Sequence, residues 1–325
     1  MNWKGVISAM TTAFKPDYSI DHTFVAKHAQ WQLENGCDGI VAPGSLGESA
    51  TLSFEEKVAL LKTLVGAAGS KAVVAGIASL GTAEGVALAK EAEQAGCAGL
   101  MVLPPYVYAS DWREMKAHVD AVLRATKLTC MLYNNPPAYK TDFLPPQIQE
   151  LAAEHANLRA VKESSGDVRR VTALKALCGE RLALFVGLDD VVLEGVRAGA
   201  LGWIGGVTNA LPRECMALFH AAVRGEAQKA DALYRWLLPL LRMDTVVKFV
   251  QYLKLIQQEV GMGSERVRGP RLPLAGAERE EALRVVRGVL AARPKEAEKP
   301  AKNQEAEKPA KNQEAEKPAK NQAAA

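Results

Sequence analysis

Eight short runs of β-branched and other apolar residues recur over residues 1–210, and a longer stretch with helical periodicity follows each of them. The runs are GVISAM at 5–10, GIVA at 39–42, AVVAGI at 72–77, GLMVL at 99–103, TCMLY at 129–133, LRAVK at 158–162, LALFV at 182–186 and GWIGG at 202–206. Between the runs, apolar residues such as Val86, Ala89 and Ala92 are spaced as on one helix face. Strands that alternate with helices indicate a parallel sheet covered by helices. Eight such units predict a closed (β/α)8 barrel.

An open, doubly wound sheet is the alternative, because it has the same alternation of elements. Proteins of that class carry a G-x-G-x-x-G turn after the first strand, and none follows residues 5–10 here. After the eighth strand, residues 211–293 keep a helical pattern for much longer than the one helix needed to close a barrel. We therefore predict a barrel over residues 1–210 and C-terminal helices over 211–293 that close and extend it.

Residues 294–325 have a different composition. The nonapeptide EAEKPAKNQ occupies 296–304, 305–313 and 314–322, and three alanines follow it. Each copy contains a proline and no large apolar residue, so burial cannot offset the entropy lost on ordering. We expect a disordered tail, and an inert one rather than a binding segment, because its lysines and glutamates nearly cancel.

The charge of the chain excludes several classes of partner. The chain has 40 Lys and Arg residues and 37 Asp and Glu residues, and the basic residues are evenly spread rather than clustered. This distribution argues against nucleic-acid and membrane partners. Apolar runs are far shorter than the roughly 20 residues of a membrane-spanning helix. The start, MNWKGVISAM, lacks the apolar core of an export signal, so we expect a cytoplasmic protein. The five cysteines are scattered and outside C-x-x-C pairs, which argues against disulfides and a zinc site.

Chemistry in (β/α)8 barrels occurs at the C-terminal ends of the strands. Three of these ends carry polar segments: PGSLGES at 43–49, YNNPP at 133–137 and KESSGD at 162–167. A lysine that points into the barrel from the C-terminal end of a strand is desolvated. Desolvation lowers the pKa of its ammonium group, so the uncharged amine is available to attack a carbonyl carbon. Lys162 is therefore a candidate Schiff-base nucleophile. The alternative is a lysine that points outward to a surface carboxylate.

The segments GSLGE at 44–48, YNNP at 133–136, VKES at 161–164 and residues 202–209 resemble the dihydrodipicolinate synthase / N-acetylneuraminate lyase superfamily of class I aldolases, in its order and at its spacings. The resemblance implies that Lys162 forms an imine with a 2-oxo acid and that Tyr133 transfers protons. It implies that Ser45, Leu46 and Gly47 hold the substrate carboxylate. Further implied substrate contacts are Gly187 and Ile204, with Gly187, Gly205 and Gly206 leaving room beside the imine. The family also implies a homo-oligomer, a tetramer or a dimer, and no cofactor or metal ion.

Three departures from the synthase pattern bear on the substrate. Leu46 replaces a threonine of the proton relay, and the relay tyrosine that a neighbouring subunit contributes would fall at Val107. The segment 137–139 lacks the arginine that meets the carboxylate of the incoming aldehyde. These changes argue against 4-hydroxy-tetrahydrodipicolinate synthase itself. Tyr108 is a candidate replacement for the missing tyrosine and is included among the expected substrate-binding residues.

Leu46, Val107, Ala138 and Trp203 are expected to make the pocket apolar, which suits a short substrate with one carboxylate. The three motifs look most similar to the branch that deaminates 1-pyrroline-4-hydroxy-2-carboxylate and releases ammonia and 2-oxoglutarate semialdehyde. The alternatives are a 2-keto-3-deoxy sugar acid aldolase or dehydratase, 4-hydroxy-tetrahydrodipicolinate synthase, and a non-catalytic paralogue that binds a 2-oxo acid.

The remaining polar residues are expected to be structural. Asp189 and Asp190 follow the seventh strand and are more typical of a helix cap than of a metal site. Glu163 should point away from Lys162, because neighbouring strand residues face opposite sides. Lys248 and Lys254 are expected to be solvent-facing or structural, and residues 268–274 to pack without a chemical role.

Overall fold

The computed structural model describes residues 1–106 and 108–294. Val107 and, apart from Pro294, the predicted tail lie outside the described residues.

Eight parallel strands form one closed barrel in chain order. They are β1 (Gly5–Ala9), β2 (Gly39–Ala42), β3 (Ala72–Ile77), β4 (Gly99–Val102), β5 (Thr129–Asn134), β6 (Leu158–Glu163), β7 (Ala183–Val186) and β8 (Gly202–Gly205). Gly202 of β8 lies opposite Gly5 of β1, and this pairing closes the barrel. The prediction of a (β/α)8 barrel is confirmed, and the open sheet is excluded.

Helices surround the barrel and continue after it. They are α1 (His22–Glu34), α2 (Phe54–Ala68), α3 (Thr82–Gln94), α4 (Trp112–Arg124), α5 (Pro136–Tyr139), α6 (Pro145–Glu154), α7 (Arg169–Cys178), α8 (Val192–Arg197), α9 (Pro212–Val223), α10 (Ala227–Leu241), α11 (Phe249–Glu259) and α12 (Gly276–Ala291). Their starts follow from local sequence: Ser53 and Glu56 form a capping box on α2, and Asp111 and Glu114 form one on α4. Short 3-10 turns occur at Ser49–Thr51, Asp189–Val191, Val207–Asn209 and Arg242–Asp244.

Two layers of apolar side chains determine where a ligand can enter. The larger layer lies between strands and helices and includes Leu61, Leu64 and Leu88. A smaller layer fills the barrel interior, where Trp3 packs edge-on against Phe185 with ring centroids 6.2 Å apart. Because Trp3 precedes β1, this layer closes the N-terminal end of the barrel, and the open space lies at the C-terminal ends of the strands. None of the helices in the described ranges is long and apolar enough to cross a bilayer.

Candidate active site

A cavity of about 550 Å³ opens at the C-terminal ends of the barrel strands. The sequence-predicted residues that line it are Ser45, Leu46, Gly47, Tyr133, Lys162, Gly187 and Ile204. Of the residues expected to act in catalysis or to contact the substrate, the structure thus brings all but Tyr108 together in one cavity. The side chain of Tyr108 is 57% exposed and lies outside the cavity of its own chain.

Lys162 and Tyr133 are side by side at the centre of the cavity wall. They are paired in the register of β5 and β6, and both side chains point into the barrel. Nζ of Lys162 lies 4.0 Å from the centroid of the Tyr133 ring, and the two residues are 6% and 5% exposed. The tyrosine hydroxyl accepts a hydrogen bond of 2.9 Å from Nδ2 of Asn135. Lys162 therefore faces an enclosed space beside a phenol, and the alternative of an outward-pointing lysine is wrong.

Tyr139 is a cavity residue whose role the sequence did not indicate. It ends α5, the short helix directly after β5, and its hydroxyl is hydrogen-bonded to Oγ of Ser45. Its ring packs edge-on against Tyr133, with centroids 5.8 Å apart. Burial, together with the nearby Tyr133, raises the pKa of Tyr139, which keeps its phenol protonated. Tyr139 thereby connects the turn after β2 with Tyr133 inside one chain.

A buried ion pair between Glu48 and Lys254 fixes the turn after β2. Glu48 adopts the left-handed conformation with φ of 57°, and its carboxylate accepts hydrogen bonds from Nζ of Lys254, at 2.5 Å, and from the backbone N–H of Arg268, at 2.9 Å. The carbonyl of Gly47 accepts a hydrogen bond of 2.6 Å from Thr12. Lys254 is thus a buried structural residue that fixes the turn presenting Ser45 and Leu46 to the cavity.

The segment 268–274 reaches the site, contrary to the expectation that it only packs. The backbone and side chain of Arg268 bind Glu48 and Glu56, while Arg271 lines the cavity. Nη1 of Arg271 lies 4.0 Å from Oε2 of Glu48. The cavity therefore does contain an arginine, and it comes from the C-terminal part of the chain rather than from residues 137–139.

Asp189 connects the ends of β7 and β8. Its buried carboxylate accepts hydrogen bonds from Nε1 of Trp203 at 2.9 Å, from the backbone N–H of Gly206 at 3.0 Å and from that of Val207 at 2.7 Å. The cap position before the following 3-10 turn is occupied by Leu188. The cap position of α8, the helix after this turn, is Val191. The prediction that Asp189 and Asp190 cap the helix is therefore wrong, and Trp203 and the two residues just after β8 occupy the Asp189 carboxylate.

Two other expectations, which concern residues of β8 beside the cavity, are wrong. Trp203 does not line the pocket: alternation along β8 turns Ile204 inward and buries Trp203 among the helices. A Cβ on Gly205 would meet Trp203 at 2.9 Å and Thr208 at 3.0 Å, so this glycine serves packing outside the cavity. A Cβ on Gly187, in contrast, would collide with Lys162, as expected for a glycine that leaves room beside the amine.

Glu163 faces away from Lys162, as strand alternation requires. Its carboxylate accepts hydrogen bonds from Nδ2 of Asn134 at 3.2 Å and from the backbone N–H of Ser165 at 2.6 Å. Burial raises the pKa of Glu163. Its contacts fix the ends of β5 and β6, which positions Tyr133 and Lys162 without direct contact with a ligand.

A (β/α)8 barrel that presents a buried lysine and a tyrosine to a cavity at its strand ends has the architecture of a class I aldolase-type lyase. Comparison with known proteins agrees with this class. Residues 2–289 match the model of the dihydrodipicolinate synthetase family, and the chain belongs to this family.

Individual relatives cover nearly the whole barrel. The chain is 34% identical over 282 residues to the 4-hydroxy-tetrahydrodipicolinate synthase of Moorella thermoacetica, covering 86% of this chain and 95% of that protein. It is 32% identical over 277 residues to the enzyme of that name from Desulforamulus reducens, covering 85% and 93%. A dihydrodipicolinate synthase structure from Bacillus anthracis superposes with a TM-score of 0.85 at 28% identity, covering 91% of this chain and all of that one.

Proposed function

We propose that Lys162 condenses with the 2-oxo or cyclic imine carbon of a small monocarboxylic acid, and that the preferred substrate is 1-pyrroline-4-hydroxy-2-carboxylate. The observation that supports the Schiff-base step most directly is the position of Lys162, which is buried beside Tyr133 at the C-terminal end of β6. An uncharged lysine amine attacks the carbon, and the protonated imine that results withdraws electrons from the neighbouring C3–H bond.

The substrate carboxylate would lie at the turn formed by Ser45, Leu46 and Gly47, where backbone N–H groups and one hydroxyl are available. Tyr133 and Tyr139 would pass protons between this turn and the imine, since Tyr139 is hydrogen-bonded to Ser45 and packs on Tyr133. This relay would lie within one chain, whereas the synthase pattern takes a tyrosine from a neighbouring subunit. It therefore offsets the loss of the threonine hydroxyl at Leu46.

The deaminase reaction follows from this chemistry. The ring nitrogen of the substrate is displaced from C2 by the Lys162 amine, which opens the ring and leaves an amine on C5. Loss of a C3 proton and of the 4-hydroxyl as water gives an unsaturated imine. Isomerisation and addition of two water molecules then release ammonia and 2-oxoglutarate semialdehyde. The net reaction consumes one water molecule.

A second candidate is 4-hydroxy-tetrahydrodipicolinate synthase. The names of the relatives described above support it directly. Against it stand Leu46 in the carboxylate turn and the absence of arginine from residues 137–139. The arginine that the cavity does contain, Arg271, lies 4.0 Å from the carboxylate of Glu48. This carboxylate partly neutralises the guanidinium, which leaves less positive charge to bind a second substrate carboxylate.

A panel of substrates separates the two candidates. The purified enzyme is expected to release ammonia and a semialdehyde from 1-pyrroline-4-hydroxy-2-carboxylate and to show no condensation of pyruvate with aspartate semialdehyde. The Lys162→Ala variant, assayed in parallel, should be inactive on every member of the panel. Condensation without ammonia release would establish the synthase and refute the deaminase. Cleavage of a 2-keto-3-deoxy sugar acid to pyruvate would refute both.

A further inference from the structure

Asp244 is a carboxylic acid in the cavity that the proposed relay does not use. It ends the 3-10 turn Arg242–Asp244 between α10 and α11, and its side chain lines the cavity together with Lys162. A Cβ on Gly206 would come within 2.5 Å of its Oδ1, so the glycine leaves the space that the carboxyl group occupies. Asp244 thus lies beside the C-terminal end of β8, whereas Tyr133 lies at the C-terminal end of β5.

The residues that line the cavity place Asp244 on one side of a bound substrate. Ser45 after β2 and Lys162 on β6 are opposite each other in an eight-stranded barrel, so a carboxylate at the turn and C2 at the lysine define one axis. On the β5 side of this axis, the Tyr139 ring packs against the rings of Tyr133 and Tyr106, with Tyr106 and Tyr139 centroids 5.1 Å apart. On the other side the cavity is lined by Gly187, Ile204 and Gly206, and Asp244 lies beside Gly206. A substrate that extends beyond C2 on this side therefore meets the carboxyl group of Asp244.

We propose that Asp244 is the general acid that donates a proton to a hydroxyl leaving from C4 of the Lys162-bound substrate. This inference rests on the proposed Schiff-base function and specifies its second half. After Tyr133 removes a C3 proton, the enamine electrons form the C3–C4 double bond and the C4–O bond breaks. Asp244 gives its proton to the departing oxygen, which leaves as water, and becomes a carboxylate. The substrate class is a 2-oxo or cyclic imino acid with a hydroxyl on C4.

The surroundings of Asp244 favour the protonated acid that this role needs. Burial and the charge of Asp189 raise its pKa, and the nearby Lys162 only partly opposes the rise. Burial also raises the pKa of Asp189, but three N–H donors favour the charged form of that residue. Asp244 has fewer N–H donors than Asp189, so burial favours its protonated form more than that of Asp189. The other charged groups near the pair are Asp190 on the 3-10 turn after β7 and Arg242 on the turn of Asp244 itself.

The test uses Asp244→Asn, which keeps the shape and a hydrogen-bond donor but cannot release a proton. Ammonia release from 1-pyrroline-4-hydroxy-2-carboxylate should fall about 10²-fold, the usual scale of general acid catalysis. The activity of the unaltered enzyme should fall at alkaline pH, where Asp244 loses its proton, and this fall should be absent from the variant. Imine formation with pyruvate, trapped by borohydride, should stay as in the unaltered enzyme. Asp231→Asn, a carboxyl-to-amide change at the surface ion pair with Arg197, should alter none of these readouts.

Each outcome discriminates. Unchanged turnover in Asp244→Asn would overturn the inference while leaving the Schiff base intact. Loss of pyruvate trapping in this variant would also overturn it, because Asp244 would then only maintain the site. Failure of trapping in the unaltered enzyme would instead refute the proposed function. If Asp244→Asn does not fold, as judged by thermal melting, Asp244→Ser with the same readouts takes its place.

Discussion

At the scale of single residues, Ser45, Tyr133 and Tyr139 line the cavity that Lys162 faces, and Tyr139 contacts both of the others. Lys162, Tyr133 and Ser45 were identified because they occur in motifs. Tyr139 and Arg271 belong to no such motif: the segment 137–139 is notable in sequence for lacking an arginine, and the segment 268–274 is typical of packing. A tyrosine one short helix after a catalytic strand was the available signal for Tyr139. No comparable sequence signal exists for Arg271, because it is far away in the chain from the strand-end motifs that form the rest of the cavity.

Tyr139→Phe tests the relay within one chain. Removal of the hydroxyl breaks the hydrogen bond to Ser45, so turnover should fall roughly 10²-fold, as when a proton-transfer group is lost. Tyr106→Phe is the matched control, because its hydroxyl donates to the carbonyl of Ala78, 3.3 Å away and outside the relay. Steady-state kinetics on the same substrate would compare the two variants. Equal effects of the two substitutions would contradict the relay.

At the scale of secondary-structure elements, the prediction was accurate where local physics decides. All eight strands were predicted to within two residues at either end, because buried parallel strands are short apolar runs bounded by turn residues. The failures concern contacts between elements that are distant in sequence. Asp189 has a sequence context typical of a helix cap, but its carboxylate accepts hydrogen bonds from Trp203 on β8 and from the backbone N–H of Val207 in the turn after β8. Trp203 was assigned to the pocket by its motif, and the alternation along β8 turns it outward.

At the scale of the whole molecule, the C-terminal helices help to build the site. Lys254 on α11 reaches the turn after β2 through its ion pair with Glu48, and Asp244 precedes the same helix. Both partners of the pair are almost entirely buried, at 3% and 0% side-chain exposure. The sequence predicts a solvent-facing or structural role for Lys254 and does not indicate its partner, because Glu48 is 206 residues away in the chain. The barrel and the helices after it therefore depend on each other for the geometry of the carboxylate turn.

Lys254→Met should lower the free energy of unfolding by about 3–5 kcal/mol, because it leaves the buried Glu48 carboxylate without its main counter-charge. Lys248→Met is the control: Lys248 pairs with Glu278 at the surface, where such a pair contributes ~0–1 kcal/mol. Urea denaturation would measure both values. Adding Glu48→Gln to Lys254→Met should recover part of the loss. A loss no larger than that of Lys248→Met would show that the pair does not stabilise the fold.

The central claim is that the Lys162 amine forms an imine with a 2-oxo acid. Incubation with pyruvate and borohydride, followed by digestion and mass spectrometry, tests it directly. We expect a reduced three-carbon adduct on the peptide that carries Lys162, and no adduct in Lys162→Ala. An unmodified Lys162 peptide, or an adduct on a different lysine, would contradict the account.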